Sequence, residues 1–229
     1  GSDIHLGKVN AARRLGKLLT KICEKYDCRL IRFEGGEKDN AIPTDAYAEL
    51  LIGEGAEPEL AELFKRAQKT VTAADAAAEI SFERYSYSGD AFDTHATKQI
   101  CKLIATIPNG VVSRYEHIDL VKTSLNTGVV RAADGEFLLH SMIRSSDDTE
   151  KDQLTDEVCA LAVGMGFAYE KDGQYPSWGY AEHSPLREIY IDAYRRVYGR
   201  EPRVCGIHAG LECGFIKSAI PDMDILSLG

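Results

Sequence analysis

Three features of the chain predict an α+β architecture in which helices cover one face of a mostly antiparallel sheet. Helix-like and strand-like periodicities recur in one order, helix, strand, strand, helix, strand, first over about residues 1–88 and again over about 89–173. Ala133-Asp134-Gly135 lies between two apolar runs and marks a hairpin, hence an antiparallel pair. After Asp172-Gly173 the order changes to helix, strand, loop, strand, which belongs to an α/β unit. The reading is a two-layer sandwich built from a duplicated unit over 1–173, followed by an incomplete α/β segment over 174–229.

Each element has its own signal. Val9, Leu15, Leu18, Leu19 and Ile22 fall on one side of a helix from Val9 to Tyr26. Strands follow over Arg29–Glu34 and Ala46–Ile52, joined by the polar run 35–40. Pro58 suits the first turn of a helix reaching Thr72. Alternating Ile80, Phe82, Tyr85 and Tyr87 predict a strand over 78–88. In the second half, a helix from Phe92 to Ala105 stops before Pro108-Asn109-Gly110. Strands over Ser124–Ala132 and Glu136–Ile143, a helix over Asp148–Val163 and a short strand over Phe167–Glu170 complete it. The tail holds the aromatic loop 174–180, a helix from Ser184 to Tyr198 opened by Ser184-Pro185, a strand over Arg203–Ile207, a short helix near Phe215 and a strand over Asp224–Ser227.

Composition narrows the function. With 27 Lys+Arg against 36 Asp+Glu the net charge is −9, which argues against nucleic acid or an anionic membrane as the main partner. No targeting tail or long apolar span occurs. Six cysteines without paired spacing read as reduced thiols of a cytoplasmic protein. Gly1-Ser2 without an initiator Met is expected of a chain cut from a longer one.

The simplest catalytic signatures are missing. No GxSxG, P-loop, GxGxxG or HExxH occurs, and the six histidines form no helical ligand pair. Cys213 has no suitably spaced His or Asn partner, so a packed thiol is the favoured reading. Polar residues do converge in the run His208-Ala209-Gly210-Leu211-Glu212-Cys213-Gly214 after the expected strand, where backbone can approach a ligand closely. Asn40, before Ala41-Ile42-Pro43, stands out as a polar group at a loop end, although a turn cap is the commoner role for Asn in such a place. Arg144 ends the run Phe137–Ile143, where it can reach an anion or pair with an Asp of Ser145-Ser146-Asp147-Asp148.

These pieces together resemble the bacterial aminoacyl-histidine dipeptidases (Xaa-His dipeptidases, peptidase D) of the di-zinc exopeptidases related to carnosinases. The resemblance rests on Asn40-Ala41-Ile42-Pro43, Thr123 to Val130, Ile143-Arg144-Ser145-Ser146, Tyr175-Pro176-Ser177-Trp178, Ile207 to Gly214 and Pro221-Asp222-Met223-Asp224. It runs in order from about Asp3 to the end. It implies that 1–173 is a lid and dimerisation domain and 174–229 part of a catalytic metallopeptidase domain. Asn40 then matches a lid residue contacting substrate or the transition-state oxygen, and Arg144 one pairing with the substrate's terminal carboxylate. His208, Gly210 and Glu212 match the pocket wall, Glu212 towards the substrate's amino end. The two zinc ions, their ligands and the general base fall outside this chain, so the chain is expected to bind no active-site zinc and to hydrolyse nothing. The parent is expected to be a cytoplasmic dipeptidase acting on small Xaa-His dipeptides as a homodimer, without nucleic acid or membrane partners. The rival reading is a non-catalytic α+β binding or dimerisation module.

Overall fold

The structure, a computed structural model, describes residues 4–53, 55–208 and 212–228. A 3-10 turn, Ile4–Leu6, leads to α1 (Ala11–Lys25). Asn10 caps that helix, its Oδ1 accepting from the Arg13 N–H at 3.0 Å. There follow β1 (Cys28–Gly35), β2 (Ala46–Ile52), α2 (Glu57–Ala74), α3 (Thr94–Thr106), β3 (Gly110–Arg114), β4 (Val121–Ala133), β5 (Glu136–Ser145) and α4 (Asp148–Gly164). The tail contributes α5 (Pro185–Tyr198) and α6 (Cys213–Ala219).

The five strands make one sheet in which every pairing is antiparallel. β4, the longest strand, organises it. One edge of β4 is filled by β5, from Thr123↔Ser145 to Ala133↔Glu136. The other edge is shared: β3 pairs with Val121–Leu125 and β1 with Val130–Ala132. Residues 126–129 of β4 therefore face no strand on that edge, and side chains take over. The Thr127 N–H donates to Asn109 Oδ1 at 2.9 Å, and the Thr127 carbonyl accepts from Asn10 Nδ2 at 2.8 Å. Loop 36–45 closes the rest of the gap. It lies so close to Gly128 that any Cβ there would strike the backbone of Asp39 and Lys38.

Alternation decides which face is covered. Leu30 and Phe33 of β1 and Val130 and Ala132 of β4 meet Leu18, Leu19 and Ile22 of α1 and Ile100 and Ile104 of α3 in one buried cluster. The first two helices of this layer can touch because Gly16 of α1 leaves room for the Ile104 side chain.

The duplicated order holds for the helices and the paired strands, and α+β is the correct class. The closing strand expected in each half is not regular structure: residues 78–88 and 167–170 are irregular. The alternation over 78–88 has a different cause. The Ala78 carbonyl and Ile80 N–H bond to the Gln68 side chain at 2.8 and 2.7 Å, and Phe82 packs on Phe64 with ring centroids 4.6 Å apart. Those residues dock on α2 one by one instead of joining a ladder. The expected strands over 203–207 and 224–227 are likewise irregular. An extended apolar run becomes a strand only beside a hydrogen-bonding neighbour, and none of the described residues pairs with either. The sequence pattern also misses β3, whose five residues carry two register irregularities.

Candidate functional site

The uncovered face of the sheet assembles the candidate residues. Ser124 and Asn126 lie two apart on β4, so their side chains leave the same face about 7 Å apart. Ser124 Oγ meets His208 Nε2 at 2.6 Å, and both residues are buried. Asn126 Nδ2 donates to the carbonyls of Asp39 and Ala41, each at 2.7 Å, bracketing Asn40. Arg144 stands opposite Ser124 in register on β5. Three sequence-predicted residues thus converge through β4: His208 directly, Arg144 as a cross-strand neighbour, and Asn40 through its flanking peptides.

Arg144 and His208 line a cavity of about 440 Å³ between the sheet and the tail. Tyr175, Trp178 and Tyr180 form an aromatic wall, held in place by polar contacts with the sheet and α4. The Tyr180 N–H donates to Tyr115 Oη at 3.0 Å, Ser177 Oγ to the Ser145 carbonyl at 3.0 Å, and Lys151 Nζ to the Tyr175 carbonyl at 2.9 Å. Arg187 and Arg203 also line the cavity and add to the charge of Arg144. Arg187 is committed to the Ala181 and Glu182 carbonyls, at 2.9 and 2.6 Å, and lies over the Tyr180 ring. Among the described residues no acidic side chain lines this cavity, so in a chain of net charge −9 its lining charge is positive.

The acids that follow Arg144 pair with lysines. Lys122 Nζ lies 2.9 Å from Asp147 and 2.6 Å from Glu150, and Lys151 pairs with Asp148. Glu150 also accepts from Ser113 Oγ and Thr123 Oγ1, both at 2.5 Å, tying the first turn of α4 to β3 and β4. These bonds hold the Asp147, Asp148 and Glu150 carboxyls below their ordinary range, mainly through the lysines, and raise the Lys122 ammonium. Among the described residues Arg144 makes two hydrogen bonds, Nε to Met142 Sδ and Nη1 to the His208 carbonyl, each at 3.4 Å. Burial, and then the Arg144 charge, push the His208 imidazole below its usual value, so it is neutral at pH 7.

Asn40, although its flanking peptides are bound to β4, is itself exposed and does not line the cavity. Glu212 is exposed at the start of α6 and makes no capping bond. Gly210 lies outside the described residues. Pattern reading missed the role of Asp224, whose carboxylate accepts from Ser184 Oγ at 2.8 and 2.9 Å and from the Leu186 N–H at 2.8 Å, fixing the start of α5. It also missed Asn10, Asn109 and Asn126; only the Pro108-Asn109-Gly110 turn gave a hint. Among the described residues, no group of three or more His, Cys, Asp or Glu could hold a metal ion. These residues do not fit a two-zinc centre, and no chemical step is assigned to metal here. No helix among the described residues is long and apolar enough to cross a membrane.

Known proteins are similar to this chain along its length. The chain is 32% identical to the cytosol non-specific dipeptidase of Escherichia coli (strain K12) over 234 aligned residues, covering 100% of this chain and 48% of that protein. The crystal structure of aminoacylhistidine dipeptidase from Vibrio alginolyticus superposes with a TM-score of 0.90 at 31% identity, over 98% of this chain and 47% of that one. No family model matches. The chain thus spans about half the length of these relatives. An α+β platform matched along its length by part of two dipeptidases defines the class: a fragment of dipeptidase type. Within that class it is peptidase D-like, as the ordered motifs from Asn40 to Asp224 imply.

Proposed function

We propose that this chain is the substrate-gripping part of a zinc-dependent dipeptidase acting on Xaa-His dipeptides, and that Arg144 receives the substrate's free carboxylate. One observation carries the reading: Arg144 reaches a cavity lined by no acid among the described residues, while Asp147, Asp148 and Glu150 are held by lysines. A guanidinium can meet a carboxylate through two parallel charge-assisted bonds, which suits recognition of a chain end. The aromatic wall would pack the side chain of the bound residue. Asn40, on the same sheet face, would orient the peptide to be cleaved. Residues 1–173 would act as the lid and as the homodimer contact. The zinc ions and the general base would come from the half of the relatives' length that this chain does not span.

The test uses the purified chain with carnosine, with a standard Xaa-His dipeptide and with the C-terminal amide of the same dipeptide. The expected result is measurable binding of the free acids by calorimetry, much weaker binding of the amide, and hydrolysis of none. Equal binding of acid and amide, or release of histidine by the chain alone, would overturn the reading.

A further inference from the structure

We propose that Asn126 is a positioning residue that sets where Asn40 stands on the sheet face. The inference rests on the dipeptidase reading for what Asn40 does, but not for how Asn40 is held. Asn126 is 4% exposed, and its Nδ2 spends both protons on the carbonyls immediately before and after Asn40, each at 2.7 Å. Its Oδ1 is buried and has no hydrogen-bond partner among the described residues. That pairing fixes the amide's orientation. Turning it over would set the oxygen against two carbonyl oxygens and strand both donors, a worse arrangement than one unmet acceptor.

The clamp acts where the sheet cannot. Residues 126–129 of β4 have no strand on this edge, so loop 36–45 is held to β4 by side chains and not by a ladder. Gly128 lets the Asp39 peptide lie directly on β4, which brings the Asp39 carbonyl within reach of Asn126. The same β4 face, one alternation step away, carries Ser124 and through it His208, with Arg144 opposite. A rigid strand therefore holds Asn40 in fixed relation to the arginine cavity, although the Asn40 side chain itself is exposed.

Asn126→Asp tests this with almost no change of shape. The carboxylate offers no donors and faces two carbonyl oxygens. Hydrogen–deuterium exchange of residues 38–43 should speed up by roughly tenfold or more, the factor that about 1.4 kcal/mol of lost hydrogen bonding gives. Amides of α3 should be unchanged. Dipeptide affinity should fall by the same factor as in Asn40→Ala, and the double variant should bind no more weakly than Asn40→Ala alone. Asn126→Ala, which removes the donors without adding charge, should repeat the result and covers the case in which the aspartate variant fails to fold. Unchanged exchange over 38–43 in a folded variant would overturn the proposal, as would a further loss of affinity on top of Asn40→Ala. Should the unsubstituted chain bind no dipeptide, the dipeptidase reading falls, while the exchange measurement still decides whether Asn126 holds the loop.

Discussion

Replacing Arg144 with methionine separates a binding role from a structural one. Among the described residues the side chain makes two contacts at 3.4 Å, one to the weakly accepting Met142 thioether and one at the long end of N–H···O bonding, and no ion pair. Losing both should cost less than about 1 kcal/mol of stability, and methionine keeps most of the apolar stem in place. A bound carboxylate would lose far more. Two charge-assisted bonds in a partly buried cavity are worth about 1.5–3 kcal/mol, so affinity for a free-acid dipeptide should fall by ~10- to 150-fold. Arg144→Lys keeps the charge but not the fork, and should fall between the two. Urea unfolding reads the first quantity and titration calorimetry the second, with the amidated dipeptide as control. The reasoning fails if Arg144→Met unfolds several kcal/mol more easily, which would make the arginine a structural pin. It fails equally if acid and amide lose affinity in the same proportion.

Three further outcomes follow from packing and charge. Gly128→Ala drives a methyl into the backbone of residues 38 and 39, which cannot swing aside, and should cost about 1–3 kcal/mol in urea unfolding with the loss of order centred on loop 36–45. Full stability in that variant would show that the loop does not lie on β4. Glu150→Gln removes the charge that Lys122, Ser113 and Thr123 all bind; about 1–3 kcal/mol should be lost, and because the folded carboxyl is held low, the difference should shrink as pH falls through the acid range. His208 is held neutral, so the unfolded chain takes up its proton first. Stability should drop as pH falls below the ordinary histidine value of 6.5, and His208→Gln should flatten that slope. A slope unchanged by His208→Gln would place the titration elsewhere.

What the sequence could and could not show follows from the range of the interaction behind each feature. α1 and α5 are visible because a cap and a 3.6-residue stripe lie within one short window, and α4 because of its cap more than its weak stripe: Asn10, Ser184 and Asp147 each accept from the backbone three residues on. β4 and β5 are visible because the hairpin that joins them is local, with Asp134 and Gly135 both at positive φ. The strands wrongly expected over 78–88 and 203–207 carry the same alternation as true strands. What separates them is a neighbour supplied from elsewhere, and Ile80 found Gln68 instead. The site divides in the same way. Arg144 can be picked out as a cation ending an apolar strand, but its freedom depends on Lys122 and Lys151 taking the acids first, a competition settled only once α4 folds back onto β4. Asn126 is harder still. It sits in a run of β4 that reads like any polar strand position, and its two acceptors lie 85 and 87 residues away in sequence. A window of residues can show that a loop such as 38–41 will form. Where that loop comes to rest depends on a strand edge left open between β1 and β3, and that edge exists only after both have paired with β4.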